Sequence, residues 1–81
     1  MTNNNILTYF GSVIRTLRIN KGFSQEQLAF KAGLHRTYIG FIERGEKNIT
    51  LLNIKKLASA LDCSISEIFL LMEEKYEKNF R

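Results

Sequence analysis

The stretch from Phe23 to Gly45 constrains the fold more than any other part of this 81-residue chain. Its sequence, FSQEQLAFKAGLHRTYIGFIERG, has apolar residues at helical spacing on both sides of Gly33. Ser24 and Gln27 stand at the spacing of a capping box, which marks the start of a helix. Gly33 permits the positive φ with which many helices end. The sequence therefore predicts two short helices joined by a glycine turn.

The small and apolar residues of this stretch indicate how its two helices pack. Ala29 is small, as a residue must be where one helix crosses closely over another, and Ile39 and Ile42 give the second helix an apolar inner face. The second helix, from about Arg36 to Glu43, then keeps a polar and basic leading end. These features predict a helix-turn-helix over residues 24–44.

The remainder of the chain also has helical periodicity, and no segment predicts a strand. The other helices are expected from about Ile6 to Asn20 with Asn5 as cap, from Leu51 after the cap residue Thr50, and from about Ile65 to Lys75. The last of these starts with a second capping box, formed by Ser64 and Glu67. We therefore expect one all-α domain of five helices over residues 1–81.

The distribution of charge favours a polyanionic partner for the first half of the chain. The net charge is +4. Residues 1–49 contain seven basic and three acidic residues, whereas residues 50–81 contain five of each. All of the excess positive charge therefore lies in the half that contains the helix-turn-helix pattern. A solvated basic surface is the alternative interpretation, which charge alone leaves open.

Composition argues against several other classes of protein. No apolar run approaches the roughly 18 residues needed to cross a bilayer, and the start of the chain lacks the regions of a signal peptide, so we expect a cytoplasmic protein without a membrane partner. Cys63 is the only cysteine and His35 the only histidine. No metal site, cofactor, small-molecule substrate or catalytic group is therefore expected.

Two sequence runs carry a resemblance to a known family. The segments GFSQEQLAFKAGL and IERG resemble the Xre and lambda-repressor-like DNA-binding domains over about residues 8 to 70. Within that family, RTYIGFIERGEKNITL is similar to the controller proteins of bacterial restriction–modification systems. The resemblance implies a five-helix lambda-repressor-like domain that binds double-stranded DNA.

The resemblance also implies a function and its partners. It implies a homodimeric, sequence-specific transcription regulator that binds a palindromic operator upstream of its own gene and the endonuclease gene. RNA polymerase is a further candidate partner. Two alternatives stay open: a prophage-type repressor or antitoxin of the same fold, and a protein-interaction module that does not bind DNA.

Four residues of the second helix are candidates for reading bases. Arg36 leads the helix, and arginine pairs bidentately with guanine, although a phosphate contact is the alternative. Thr37 is expected to touch a thymine methyl group or a phosphate. Tyr38 corresponds to a tyrosine that lies against DNA in controller proteins, or else packs against the first helix. Phe41 faces outward by helical phase, where it meets a thymine methyl group or packs under the following loop.

A second group of residues is expected to contact the DNA backbone; it comprises Ser24, Gln25, His35, Arg44, Lys47 and Asn48. Gln25 matches the phosphate-clamping glutamine of the family, at a helix start where free amides favour anions. His35 is expected as a helix cap or a phosphate contact. Lys47 is expected to hold the backbone or to reach into a groove, with a solvated lysine as the alternative.

Two further sets of residues are expected to support the DNA-binding surface. The family pattern pairs Arg18 with Glu43, which ties the second helix of the motif to the first helix of the chain. The last helix and tail, 65–81, are expected to form the dimer. Its apolar face is expected to bury against the fourth helix, while Phe69, Leu70 and Leu71 supply the dimer interface.

Overall fold

The computed structural model describes residues 4–76, with side chains from residue 6 onward, as five α-helices without a strand. In chain order these are α1 (Asn4–Asn20), α2 (Gln25–Ala32), α3 (Arg36–Glu43), α4 (Leu51–Ala60) and α5 (Ile65–Tyr76). The all-α, five-helix prediction is therefore confirmed. The tail at 77–81, expected to take part in dimerisation, lies outside the described residues. None of the five helices is long and apolar enough to cross a membrane.

Local capping hydrogen bonds fix the starts of α2, α4 and α5 as the sequence predicts. At α2, the main-chain N–H of Ser24 donates to Gln27 Oε1 over 2.8 Å, and Ser24 Oγ accepts from the Gln27 N–H over 3.0 Å. Thr50 caps α4 in the same way by accepting from the N–H of Asn53. These bonds satisfy amide groups that a helix start leaves without partners.

The starts of α1 and α3 differ from expectation. The backbone of α1 is already helical at Asn4, so Asn5 lies within the helix and is not its cap. His35 does occupy the N-cap position of α3, but its side chain makes no capping hydrogen bond. The short α3 therefore starts without a side-chain cap. Packing of its inner face against the core stabilises the helix.

The turn of the helix-turn-helix has the predicted glycine geometry. Gly33 adopts φ 70°, in the left-handed region, and the N–H of Leu34 donates to the carbonyl of Ala29 over 2.9 Å. Ala29 itself is buried. The chain therefore turns within three residues, and α3 starts with Arg36 at its exposed leading end.

One core holds the five helices together. Its fully buried large side chains are Ile14, Leu28, Ile39, Ile42, Leu57, Leu61 and Ile68. Burying a side chain of this size contributes about 1.5–3 kcal/mol relative to leaving it exposed. The predicted inner face of α3, formed by Ile39 and Ile42, is therefore confirmed.

The packing of α5 includes the expected contact of its apolar face with α4 and adds a second helix to it. The helix contacts α4 and also lies along α1. The ring of Tyr76 stacks on that of Tyr9 with centroids 4.0 Å apart, and Phe69 lies 6.1 Å from Phe10. Since α1 also contacts α3, this first helix connects the end of the chain with the helix-turn-helix.

Candidate nucleic-acid interface

The outer side of α3 and the start of α2 form a shallow, basic depression. Its lining consists of Arg18, Ser24, Gln25, Glu26, Arg36, Thr37, Gly40 and Arg44. Arg36 and Thr37 are exposed, and Ser24 lies at the rim where α2 begins. Five of the predicted DNA contacts are therefore brought together on one face: two from the base-reading group and three from the backbone group.

A buried ion pair fixes α3 behind this face. Arg18 Nε lies 2.6 Å from Glu43 Oε2, and Arg18 Nη2 lies 3.0 Å from Oε1. The Glu43 side chain is 2 % exposed and that of Arg18 is 11 % exposed. The hydrogen bond to Glu43 raises the pKa of Arg18, and Coulombic attraction adds to it against the effect of burial. Such a bidentate pair fixes the relative orientation of the two side chains and also stabilises their contact.

Gln25 belongs to the same network. Its Nε2 donates to Glu43 Oε1 over 3.0 Å, so its amide nitrogen is used within the protein. Its carbonyl oxygen Oε1 points instead toward Gly40. A carbonyl oxygen repels phosphate, so the donors that Gln25 can offer a phosphate in this arrangement are the second N–H of its side-chain amide and its main-chain N–H at the start of α2.

Tyr38 is anchored to α4 by a contact that the sequence did not indicate. Its hydroxyl accepts a hydrogen bond of 3.0 Å from Asn53 Nδ2 on α4, and its half-buried ring packs against the core. Sequence reasoning missed Asn53 because the two residues are fifteen positions apart and only the tertiary fold brings them together.

The end of α3 carries a cluster of two cations around one aromatic ring. The guanidinium carbon of Arg44 lies 5.4 Å from the centroid of the Phe41 ring, and Lys47 Nζ lies 5.5 Å from it. Arg44 Nε also lies 3.2 Å from Glu46 Oε2 in an exposed ion pair. Asn48 follows in the exposed loop before α4. Phe41 itself is half-buried.

A second depression lies on the other side of Arg36. It is lined by Glu26, Ala29, Phe30, Leu34, His35 and Arg36. Phe30 is 88 % exposed, an unusual value for an aromatic residue on a helix. Sequence reasoning missed it, although an apolar residue outside the inward set of α2 was a usable signal. His35 is exposed beside it.

The predicted dimer residues lie on α5. Leu70 and Leu71 are 56 % and 41 % exposed, whereas Phe69 is half-buried against the core.

Cys63 is half-buried in the turn before α5, and burial raises the pKa of its thiol. Within residues 6–76, no group of acidic, histidine or cysteine side chains could hold a metal ion.

Comparison with known proteins identifies the family. A helix-turn-helix family model matches residues 14–68. The control protein C.BamHI of Bacillus amyloliquefaciens is 52 % identical over 59 residues, which cover 72 % of this chain and 73 % of that protein.

Two solved structures of controller proteins are also similar. The restriction–modification controller protein C.AhdI of Aeromonas hydrophila is 54 % identical with a TM-score of 0.77, over 78 % of this chain and 96 % of that one. The controller protein C.Esp1396I, solved as a tetramer with its natural 35-base-pair operator, is 32 % identical with a TM-score of 0.81, over 91 % and 95 % of the two chains. The chain therefore belongs to the helix-turn-helix family and, within it, to the controller proteins of restriction–modification systems.

Proposed function

We propose that this protein is a sequence-specific DNA-binding transcription regulator that controls its own promoter and the endonuclease promoter of a restriction–modification system. The observation that carries this proposal is the exposed, basic outer side of α3, held to α1 and α2 by the buried contacts of Glu43 with Arg18 and Gln25. A recognition helix must keep its orientation in the major groove, and this network supplies that rigidity.

Base reading is assigned to the leading half of α3. Arg36 is the first residue of α3 and is exposed. Its side chain is long enough to reach the O6 and N7 atoms of guanine. Thr37 is exposed beside it and offers a methyl group and a hydroxyl. Tyr38 keeps its hydroxyl bonded to Asn53, so its part in base reading is contact by the exposed portion of the ring.

Backbone contacts are assigned to both ends of the helix-turn-helix. Ser24 and the main-chain N–H of Gln25 lie at the start of α2, where the helix dipole favours an anion. Lys47 and Asn48 lie in the loop after α3, and His35 immediately precedes α3. These contacts position the protein without reading sequence.

A homodimer completes the proposed regulator. Leu70 and Leu71 expose adjacent apolar side chains on α5, and a two-fold partner would cover them. A dimer presents two recognition helices to a palindromic operator about one helical turn, or ~34 Å, apart. The related C.Esp1396I forms a tetramer on its operator, which supports assembly of more than one subunit on DNA. The regulator would act in the cytoplasm, with RNA polymerase as its partner at the promoter.

A binding measurement tests this function. Fluorescence anisotropy should compare a duplex of the region upstream of the chain's own gene with a random duplex of equal length. We expect wild-type protein to prefer the upstream duplex, and Arg36→Ala to lose the preference. Absence of binding to either duplex would support the protein-interaction module instead. A prophage or toxin gene beside this one, in place of a methyltransferase and a nuclease, would support the repressor or antitoxin.

A further inference from the structure

Gly40 leaves a space on the outer side of α3 that the side chain of Arg44 occupies. A Cβ atom at position 40 would lie 3.1 Å from Arg44 Nη1 and 3.7 Å from Gln25 Oε1. The guanidinium group therefore lies back across the helix, directly over the glycine. Glycine inside a helix lowers its stability relative to alanine, so this position trades helix stability for the space.

The aromatic ring of Phe41 holds the same guanidinium from a second side. Arg44 and Lys47 lie at nearly equal distances, 5.4 Å and 5.5 Å, from the ring centroid. Both distances are within the range in which a cation is attracted to the face of an aromatic ring. The ring therefore restricts two long side chains that would otherwise sample many rotamers in solvent.

The ion pair of Arg44 with Glu46 is suited to exchange. Both side chains are about half exposed, at 55 % and 50 %, and such pairs contribute little to stability because water screens them. A DNA phosphate can therefore replace the Glu46 carboxylate at the guanidinium. Gln25 is uncharged and directs its acceptor atom Oε1 toward the space beside Gly40. Arg44 therefore supplies the positive charge at that part of the depression.

We propose that Gly40 and Phe41 are positioning residues that hold Arg44 and Lys47 as a preformed clamp for the DNA backbone at the end of the recognition helix. Gly40 gives the guanidinium its space, and Phe41 aligns both cations before DNA arrives. Preorganisation raises affinity because less side-chain entropy is lost on binding. The inference rests on the proposed function, since DNA is the polyanion that the clamp would hold.

Two substitutions at Phe41 test the role of the ring. Phe41→Leu keeps an apolar side chain but removes the attraction to cations, whereas Phe41→Tyr retains it. Anisotropy titrations with the upstream and random duplexes, over a range of salt concentrations, should show that Phe41→Leu weakens both complexes by about three-fold per subunit. For Phe41→Leu, log K should also depend less steeply on log salt. Phe41→Tyr should behave as wild type.

Other outcomes have separate meanings. Unchanged binding by Phe41→Leu overturns the inference, and so does a loss confined to the upstream duplex, since Phe41 would then read bases. Wild-type protein that binds neither duplex overturns the proposed function itself.

A double-mutant cycle tests the role of Gly40 even if a larger residue there perturbs the helix. Gly40→Leu should displace the guanidinium and weaken binding, but it should have no further effect in protein that already carries Arg44→Ala. An equal loss in both backgrounds would mean that the leucine meets DNA directly, which overturns the positioning role. Thermal melts by circular dichroism establish that each variant is folded before titration.

Discussion

A Cβ atom on Gly11 would lie 2.7 Å from the main-chain carbonyl oxygen of Glu43, closer than Cβ atoms essentially ever approach such an atom. The same atom would overlap the carbonyl of Ile42. The end of α3 therefore rests directly on the backbone of α1, and Gly45 makes a similar approach to Thr8. Only glycine at these positions allows the two helices to come so close.

We predict that Gly11→Ala destabilises the fold by about 1–3 kcal/mol, because two main-chain segments would have to separate. Gly40→Ala is the matched control within a helix: its Cβ would meet the flexible end of Arg44 and, at an ordinary contact distance, the side-chain oxygen of Gln25. This control should stabilise the protein by up to about 1 kcal/mol through helix propensity. Urea denaturation measures both, and equal effects of the two alanines would contradict the close contact at Gly11.

Glu43→Ala should lower the free energy of unfolding by about 3–5 kcal/mol, because it leaves the largely buried Arg18 guanidinium with only the carbonyl of Phe23 as a partner. Glu46→Ala removes the ion pair with Arg44, whose side chains are exposed, and should cost about 0–1 kcal/mol. Thermal and chemical denaturation distinguish the two substitutions. A Glu43→Ala melt that overlays the wild-type curve would show that the buried pair does not hold α3.

Arg36→Ala should abolish operator discrimination while the fold stays intact, since Arg36 is exposed. One bidentate guanine contact contributes about 1–3 kcal/mol per half-site, and a dimer would lose it twice. Lys55→Ala is the control, because it removes one exposed positive charge from α4, outside the helix-turn-helix. Footprinting should show a lost preference only for Arg36→Ala. A uniform loss on all sequences would reassign Arg36 to phosphate.

Leu70→Glu combined with Leu71→Glu should convert the protein to a monomer in sedimentation at micromolar concentration, since charges would replace the exposed apolar surface of α5. Leu51→Glu with Leu52→Glu is the matched control: these adjacent leucines of α4 are also exposed, at 70 % and 65 %. The control variant should remain a dimer. The reverse result would move the interface from α5 to α4.

Ser64→Ala should raise the pKa of Glu67. This pKa is lowered because the carboxylate accepts hydrogen bonds from the main-chain N–H and then from the hydroxyl of Ser64. A folded pKa below the ordinary 4.5 means that these bonds stabilise the fold above pH 4.5 and lose that effect as the pH falls through the folded pKa.

The variant keeps only the main-chain bond, so less stability should be lost on acidification. An NMR titration of the Glu67 carboxyl group measures the shift directly. An unchanged pKa would show that the hydroxyl bond has no influence on this carboxylate.

Local features of the fold could be predicted from the sequence because their causes lie within a few residues. The capping box of Ser24 with Gln27 and the left-handed turn at Gly33 each depend on adjacent backbone geometry. The inner face of α3 follows in the same way from the periodicity of Ile39 and Ile42. These signals sufficed for the helices and for the exposed face of the motif.

Contacts between distant residues could not be predicted in this way. Gly11 has no sequence signal of its own, because its role depends on where α3 crosses α1. The bond from Asn53 to Tyr38 and the bond from Gln25 to Glu43 likewise depend on helix packing. The sequence predicts which residue types surround the candidate site, whereas the partner of each polar atom follows from the tertiary arrangement.

The position of α1 between α3 and α5 bears on two properties of an operator, the spacing of its half-sites and the sequence of each half-site. In a dimer formed through α5, one path from each recognition helix to the interface would run through α1, by way of Gly11 at one contact and the Tyr9–Tyr76 stack at the other. A substitution that tilts α1 would alter the distance between half-sites that the dimer accepts, while each half-site would keep its preferred bases. In such a dimer, half-site spacing would depend on a different helix from half-site sequence, so the two could change independently.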